Sequence, residues 1–164
     1  MATRVGLIDY GMGNLFSVQK AFERLGYSLF PVQSPDDFNN CDALILPGVG
    51  AFDPAIERLK EKQFIPYLKN WNKDKKPLLG ICLGLQLLFD SSDEGLLKGL
   101  GLIKGHVYKL PERKGERIPH MGWSIIKEKG FCPLIRKNED SQWVYFVHSY
   151  AAKPTNAKDL AATT

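Results

Sequence analysis

Residues 77–90 constrain the fold more than any other stretch: they read Pro-Leu-Leu-Gly-Ile-Cys-Leu-Gly-Leu-Gln-Leu-Leu-Phe-Asp. The apolar run at 78–81 follows a charged segment and predicts a buried strand, while Leu85, Leu88 and Phe89 recur at helical spacing. A strand therefore turns directly into a helix. The residue at the turn is Cys82, set between Gly80 and Gly84 in the pattern G-x-C-x-G. This is the thiol counterpart of the G-x-S-x-G nucleophile elbow. Glycines two positions either side let the helix approach the strand, and the tight turn lifts the nucleophile above the sheet. The first peptide dipoles of a helix favour an anion there, and the thiolate is the nucleophilic form of cysteine. A short motif around a cysteine also fits a small buried hydrophobe. A second glycine-rich strand end, Leu44-Ile-Leu-Pro-Gly-Val-Gly50, weighs for the catalytic reading. An elbow needs an oxyanion hole, built from the N–H of the residue after the nucleophile and another from a neighbouring strand-to-helix loop. Leu83 supplies the first and the loop at 47–50 offers the second.

The rest of the chain supplies the sheet that such an elbow requires. Val5-Gly-Leu-Ile8 predicts a strand, and Leu15, Val18, Phe22 and Leu25 an amphipathic helix that Gly26 ends. Further strands are expected over 27–32 and 44–46. Strands alternating with helices predict a three-layer α/β fold, flavodoxin-like, with a largely parallel sheet covered on both faces. Ligands then gather at the carboxyl ends of the strands, where Asp9, the 47–50 loop and Cys82 share one rim. Beyond the elbow, residues 94–102 are glycine-punctuated and loop-like, and short strands are expected over 106–110, 119–126 and 143–150, so the parallel pattern gives way to a mixed sheet with long loops. Gly11-Met-Gly-Asn-Leu-Phe16 lacks the third glycine of G-x-G-x-x-G, which excludes a dinucleotide fingerprint. Asn14 reads locally as a helix cap.

A single domain over 1–164 is expected from the length, and 44% hydrophobic with 24% charged residues are the proportions of a globular chain. No apolar run approaches bilayer length and no signal-peptide pattern opens the chain, so a cytoplasmic protein without a membrane partner is expected. Three cysteines with no C-x-x-C pair argue against a disulfide framework or a zinc site. The net charge of +4 is mild, its basic clusters at 73–76 and 113–117 read as solvated turns, and no basic stripe interleaved with aromatics suggests nucleic acid.

A cysteine nucleophile needs a base, usually histidine. The chain offers His106, His120 and His148. His106 alternates in a strand pattern and reads as structural, His120 as a hydrogen-bonded loop anchor, and His148, at the end of a strong strand, as the best candidate present.

Four stretches carry a family resemblance through almost the whole chain: Ile8-Asp-Tyr-Gly-Met-Gly-Asn-Leu15, Leu46-Pro-Gly-Val-Gly-Ala-Phe52, Gly80-Ile-Cys-Leu-Gly-Leu-Gln-Leu-Leu88, and Pro119-His-Met-Gly-Trp123 followed by Tyr145-Phe-Val-His-Ser-Tyr150. The chain resembles the class I, triad-type glutamine amidotransferases, and most closely the glutaminase subunits of imidazole glycerol phosphate synthases of histidine biosynthesis. The resemblance implies glutamine hydrolysis through a Cys82 thioester. Val49, Gly50 and Leu83 would serve the oxyanion hole, and Gly50, Gln86, Ser149 and Tyr150 would contact glutamine. It implies no cofactor and no metal. It also implies a heterodimer with a cyclase subunit, a (β/α)₈ barrel that takes up the ammonia, met through Asn14, Pro119, Met121 and Trp123. The sequence departs from the family in having no F-H-P-E-like segment for the catalytic His and Glu. The expectation is a domain incomplete at its C-terminus and inactive alone, with His148 structural. The alternatives are a paralogue supplying ammonia for surface-polysaccharide sugar amidation, a non-catalytic module docking on the cyclase, and a Cys82–His148 thiol hydrolase.

Overall fold

The computed structural model of the chain describes residues 3–112, 117–130, 132–135 and 142–164. Strand β1 (Val5–Ile8) leads into helix α1 (Leu15–Arg24), whose first turn is capped by Asn14 Oδ1 accepting the Ser17 N–H at 3.1 Å. The helix closes through Gly26, at φ 82°, with Gly26 N–H on Glu23 O and Tyr27 N–H on Phe22 O. This closure consumes Tyr27, and the strand expected over 27–32 is only β2 (Phe30–Val32). Then come β3 (Ala43–Leu46), α2 (Phe52–Glu61), α3 (Phe64–Lys73), β4 (Leu78–Gly80) and the short α4 (Leu83–Leu87). The four strands form one parallel sheet in the order β2-β1-β3-β4.

Alternation along the strands sorts the core. Ile8, Val32, Leu44 and Leu46 pack with Phe52 and Leu59 of α2, Phe64 and Leu68 of α3, and Leu83 and Leu87 of α4. Leu7 and Ile45 alternate to the opposite face and are buried there. The basic cluster at 73–76 forms the turn after α3, with Lys76 Nζ 4.5 Å from the Trp71 ring centroid. Residues 113–116 of the other cluster lie outside the described residues.

The second half carries mixed pairing as expected but divides into small sheets rather than one. It comprises β5 (Ser91–Ser92), β6 (Gly105–Lys109), β7 (His120–Ile125), β8 (Lys127–Glu128), β9 (Trp143–His148), β10 (Tyr150–Pro154) and β11 (Ala162–Thr163). Among the described residues these pair in three small sheets, β10-β6-β5, β11-β8 and β7-β9, apart from the parallel one, with β6 running antiparallel to β10 and parallel to β5. The apolar run at 143–150 is not one strand. It breaks at Ser149, so that β9 pairs with β7 while β10 pairs with β6. Among the described residues β4, the strand before the elbow, is a sheet edge.

Candidate active site

Cys82 sits at φ 55°, ψ −120°, directly before α4, with its side chain exposed. A side chain in this positive-φ region is strained, which is the mark of an elbow. The glycines around it are required by close approach. A Cβ on Gly84 would run into the Leu46 carbonyl oxygen, one on Gly80 would lie 2.6 Å from Leu85 Cα, and one on Gly48 2.8 Å from Gly84 N. The ends of β3 and β4 and the start of α4 meet only because these three residues lack side chains. The helix predicted through Phe89 stops at Leu87, because the glycine-rich segment folds back and takes its last carbonyls: Leu100 N–H donates to Leu87 O at 2.9 Å and Leu102 N–H to Leu88 O at 2.8 Å.

The 47–50 loop lies against this elbow. Tyr10, buried, donates its hydroxyl to Pro47 O at 2.9 Å. Burial pushes that phenol far above its ordinary pKa, and the nearby Cys82 pushes it the same way, so Tyr10 remains a neutral donor. Glu94 Oε2 accepts the Phe52 N–H at 3.0 Å, and Asp53 in turn accepts the N–H groups of Leu96 and Leu97 at 2.8 and 3.0 Å. Loop and helix start are thereby clamped from both sides. Sequence reasoning missed Tyr10, Asp53 and Glu94 in these roles; only Glu94 carried a cue, an acid beside the glycine-punctuated segment.

Among the described residues, the N–H groups of Leu83 and Gly50 have no backbone acceptor, whereas the Val49 N–H donates to Met12 O at 3.3 Å. Gly50, at φ 95°, has Met12 Cε beside it. Gln86, one turn beyond Cys82, donates its side-chain amide to Tyr150 O at 3.4 Å. Ser149 lies at the β9–β10 break, its carbonyl accepting the Leu110 N–H at 2.8 Å. Gln86, Ser149 and Tyr150 are thus brought toward the elbow from separate elements. Asn14, Pro119, Met121 and Trp123 are all exposed, and Met121 and Trp123 lie on one face of the β7–β9 ribbon with Val147 and Tyr145 opposite them.

All three histidines are committed elsewhere. His106 Nε2 meets Asp93 Oδ1 and its Nδ1 meets Ser91 Oγ, both at 2.7 Å. This resembles a catalytic triad, but the backbone donors around it are taken: Gly105 N–H by Asp90, Asp93 N–H by Val107 O, Glu94 N–H by Ser92 Oγ and Lys109 N–H by Asp93. The group joins β5 to β6 as a staple. His148 Nδ1 lies 2.9 Å from Tyr150 O and its Nε2 lies 3.0 Å from His120 Nδ1. Among the described residues no hydrogen bond links a histidine to Cys82, so the thiol hydrolase reading lacks the contact it needs. No group of three or more His, Cys, Asp or Glu among the described residues is placed to hold a metal ion, and no helix among them is long and apolar enough to cross a membrane.

The model of the glutamine amidotransferase class-I family matches residues 6–164. The chain belongs to that family. Its elbow is therefore that of a glutamine-hydrolysing amidotransferase domain. Its relatives include the imidazole glycerol phosphate synthase subunit HisH 2 of Prochlorococcus marinus strain MIT 9313, 62% identical over 99% of this chain and 76% of that one. The subunit HisH of Synechococcus sp. strain CC9605 is 56% identical over the same shares. The subunit HisH of Prochlorococcus marinus subsp. pastoris is 51% identical over 97% of this chain and 78% of that one. A crystal structure of glutamine amidotransferase shares the fold of this amidotransferase domain, with a TM-score of 0.70 over 93% of this chain and 75% of that one at 16% identity.

Proposed function

We propose that the chain belongs to the glutaminase subunit of an imidazole glycerol phosphate synthase in the cytoplasm, with residues 1–164 lying in a single amidotransferase domain. The subunit to which it belongs hydrolyses glutamine and passes ammonia to a cyclase subunit with a (β/α)₈ barrel. The observation that carries the chemistry is Cys82 at φ 55° on its elbow, facing a loop with open N–H groups. The relatives' shared description and their 51–62% identity support the pathway.

In this reading Cys82 Sγ attacks the side-chain amide carbon of glutamine. The proton of the Cys82 thiol passes through the base to the departing nitrogen, the C–N bond breaks and ammonia leaves, and water then hydrolyses the thioester to glutamate and restores the thiol. Leu83 and Gly50 N–H groups stabilise the tetrahedral oxyanion, and Val49 joins them on leaving Met12 O. One such donor is worth about 10²–10³ in kcat, so the 3.3 Å Val49–Met12 bond holds the site at low activity. Gly50, Gln86, Ser149 and Tyr150 hold the substrate. Asn14, Pro119, Met121 and Trp123 meet the cyclase. Because His106, His120 and His148 are committed, the base is a group that these residues do not supply.

The test is glutamate release with the cyclase and its nucleotide ligand present, and Cys82→Ala as control. The expected result is that the 164-residue chain binds the cyclase without appreciable release, and that a chain of the relatives' full length releases glutamate in a Cys82-dependent way. Cys82-dependent release by the 164 residues would instead make His148 the base. A full-length chain that binds the cyclase and hydrolyses nothing would leave only a docking module.

A further inference from the structure

The β7–β9 ribbon has two unlike faces. The register pairs Met121 with Val147 and Trp123 with Tyr145 on one face, and His120 with His148 and Gly122 with Phe146 on the other. On the second face a continuous chain of polar contacts runs along the ribbon and off its end: Ser124 Oγ to His120 Nε2 at 3.1 Å, His120 Nδ1 to His148 Nε2 at 3.0 Å, His148 Nδ1 to Tyr150 O at 2.9 Å, and Gln86 Nε2 to the same carbonyl at 3.4 Å. The Phe146 ring stacks on His120 at 5.3 Å and an interplanar angle of 22°, fixing the imidazole plane.

The carbonyl at one end dictates the protons along the whole chain. Tyr150 O only accepts, so His148 Nδ1 carries the hydrogen. In neutral His148, Nε2 is then an acceptor and His120 Nδ1 donates to it, leaving His120 Nε2 to accept from the Ser124 hydroxyl. Every contact has one donor and one acceptor. This line leads from the exposed ribbon to Gln86 on α4, the helix that follows the nucleophile. Among the described residues β7 and β9 pair only with each other, and β9 continues through Ser149 into β10, which pairs with β6.

We infer that His120 and His148 are positioning residues: they set the Tyr150 carbonyl and, through it, the Gln86 side chain according to what is docked on the ribbon's apolar face. The inference rests on the proposed function for its partner, but its intramolecular half stands alone. A partner that presses on Met121 and Trp123 shifts β7 against β9, and the His120–His148 contact passes that shift to Tyr150 rather than to solvent.

The two amide side chains separate this from a merely structural role, because Asn reproduces the Nδ1 position of histidine and Gln the Nε2 position. His120→Asn retains the donor to His148, whereas His120→Gln loses it; Ser124→Ala trims only the far end. The first readout uses the free chain: the ¹⁵N resonances of His148 and the Gln86 side-chain amide. They are expected to move in His120→Gln and to stay near wild type in His120→Asn. Equal spectra in both variants overturn the inference whatever the partner does, and circular dichroism of Ser124→Ala and both His120 variants detects misfolding. The second readout adds the cyclase subunit to the full-length relative-sized chain. His120→Gln is expected to keep its affinity while partner-stimulated kcat falls roughly five- to tenfold, the loss of about one hydrogen bond, with His120→Asn restoring it. If His120→Gln and His120→Asn lower kcat equally, the positioning role is wrong. If the cyclase fails to bind wild type, the proposed function fails while the first readout still decides the intramolecular link.

Discussion

Leu44, Leu46, Phe52, Leu59, Phe64 and Leu68, in the parallel sheet and its helices, are at most 1% exposed, whereas Met121, Trp123, Trp143, Tyr145 and Val147 on the β7–β9 ribbon are at least 50% exposed. Each of these ribbon side chains would gain about 1.5–3 kcal/mol from full burial. A two-stranded ribbon is also marginal by itself. The first region spends its apolar side chains internally, and in return holds Cys82 in a backbone conformation that no isolated peptide would keep. The second holds them out in water, which in the proposed reading is where the cyclase docks. The proposed function puts chemistry on the stiff part and recognition on the part with least cohesion of its own.

The contrast breaks most completely at Gly84. Gly84→Ala drives a methyl group into Leu46 O, and about 3 kcal/mol or more of stability is expected to go, as read by chemical denaturation, with glutaminase activity lost in a chain of the relatives' full length. On the ribbon the outcome is reversed. Trp123→Ala is expected to leave the denaturation midpoint within error and to weaken cyclase binding by about 2 kcal/mol, roughly thirtyfold in Kd, by calorimetric titration. Unchanged affinity would remove Trp123 from the interface. Cys82→Gly sharpens the comparison from the other side: relief of the φ 55° strain is expected to stabilise the fold by about 1 kcal/mol while abolishing thioester chemistry.

The smallest effect concerns acid. The Ser34 N–H, then the Gln33 N–H and the Ser34 hydroxyl, hold the Asp37 carboxyl below its ordinary range. A lowered folded pKa means the stabilisation is complete above the unfolded value of about 4 and fades as pH falls through the folded one. Asp37→Asn is therefore expected to be less stable than wild type at neutral pH, with the gap in Tm closing below pH 4. A gap of constant size would assign the effect to shape rather than charge.

How much of this was legible in the sequence follows the same division. The order of β1, α1, β3 and β4, and the elbow at Cys82, are written in short-range patterns: a run of apolar residues, a stripe at three and four, two glycines around a cysteine. The break at Ser149 was not, because Trp143 to Tyr150 is uniformly strand-forming and only the rival claims of β7 and β6 decide where it divides. The truncation of α4 at Leu87 depends on Leu100 and Leu102 returning to take its carbonyls. Tyr10 on Pro47, Glu94 on Phe52 and Val49 on Met12 join residues 37 or more positions apart, and no local pattern announces such a pair. The histidines divide likewise. His106 reads as structural from its strand pattern, but the engagement of both ring nitrogens of His148 became visible only once β9 and β10 were separate strands.

The strained turn at Cys82 also bears on the history of such chains. A lineage released from glutamine hydrolysis would be rewarded for the first substitution to glycine at position 82, because a single exchange removes an unfavourable conformation and loses only a function no longer used. Drift would therefore erase this cysteine early, ahead of Gly80 and Gly84, whose absence of a side chain the packing still demands. In a chain that hydrolyses glutamine as proposed, Cys82 is held against a standing thermodynamic pull toward its loss.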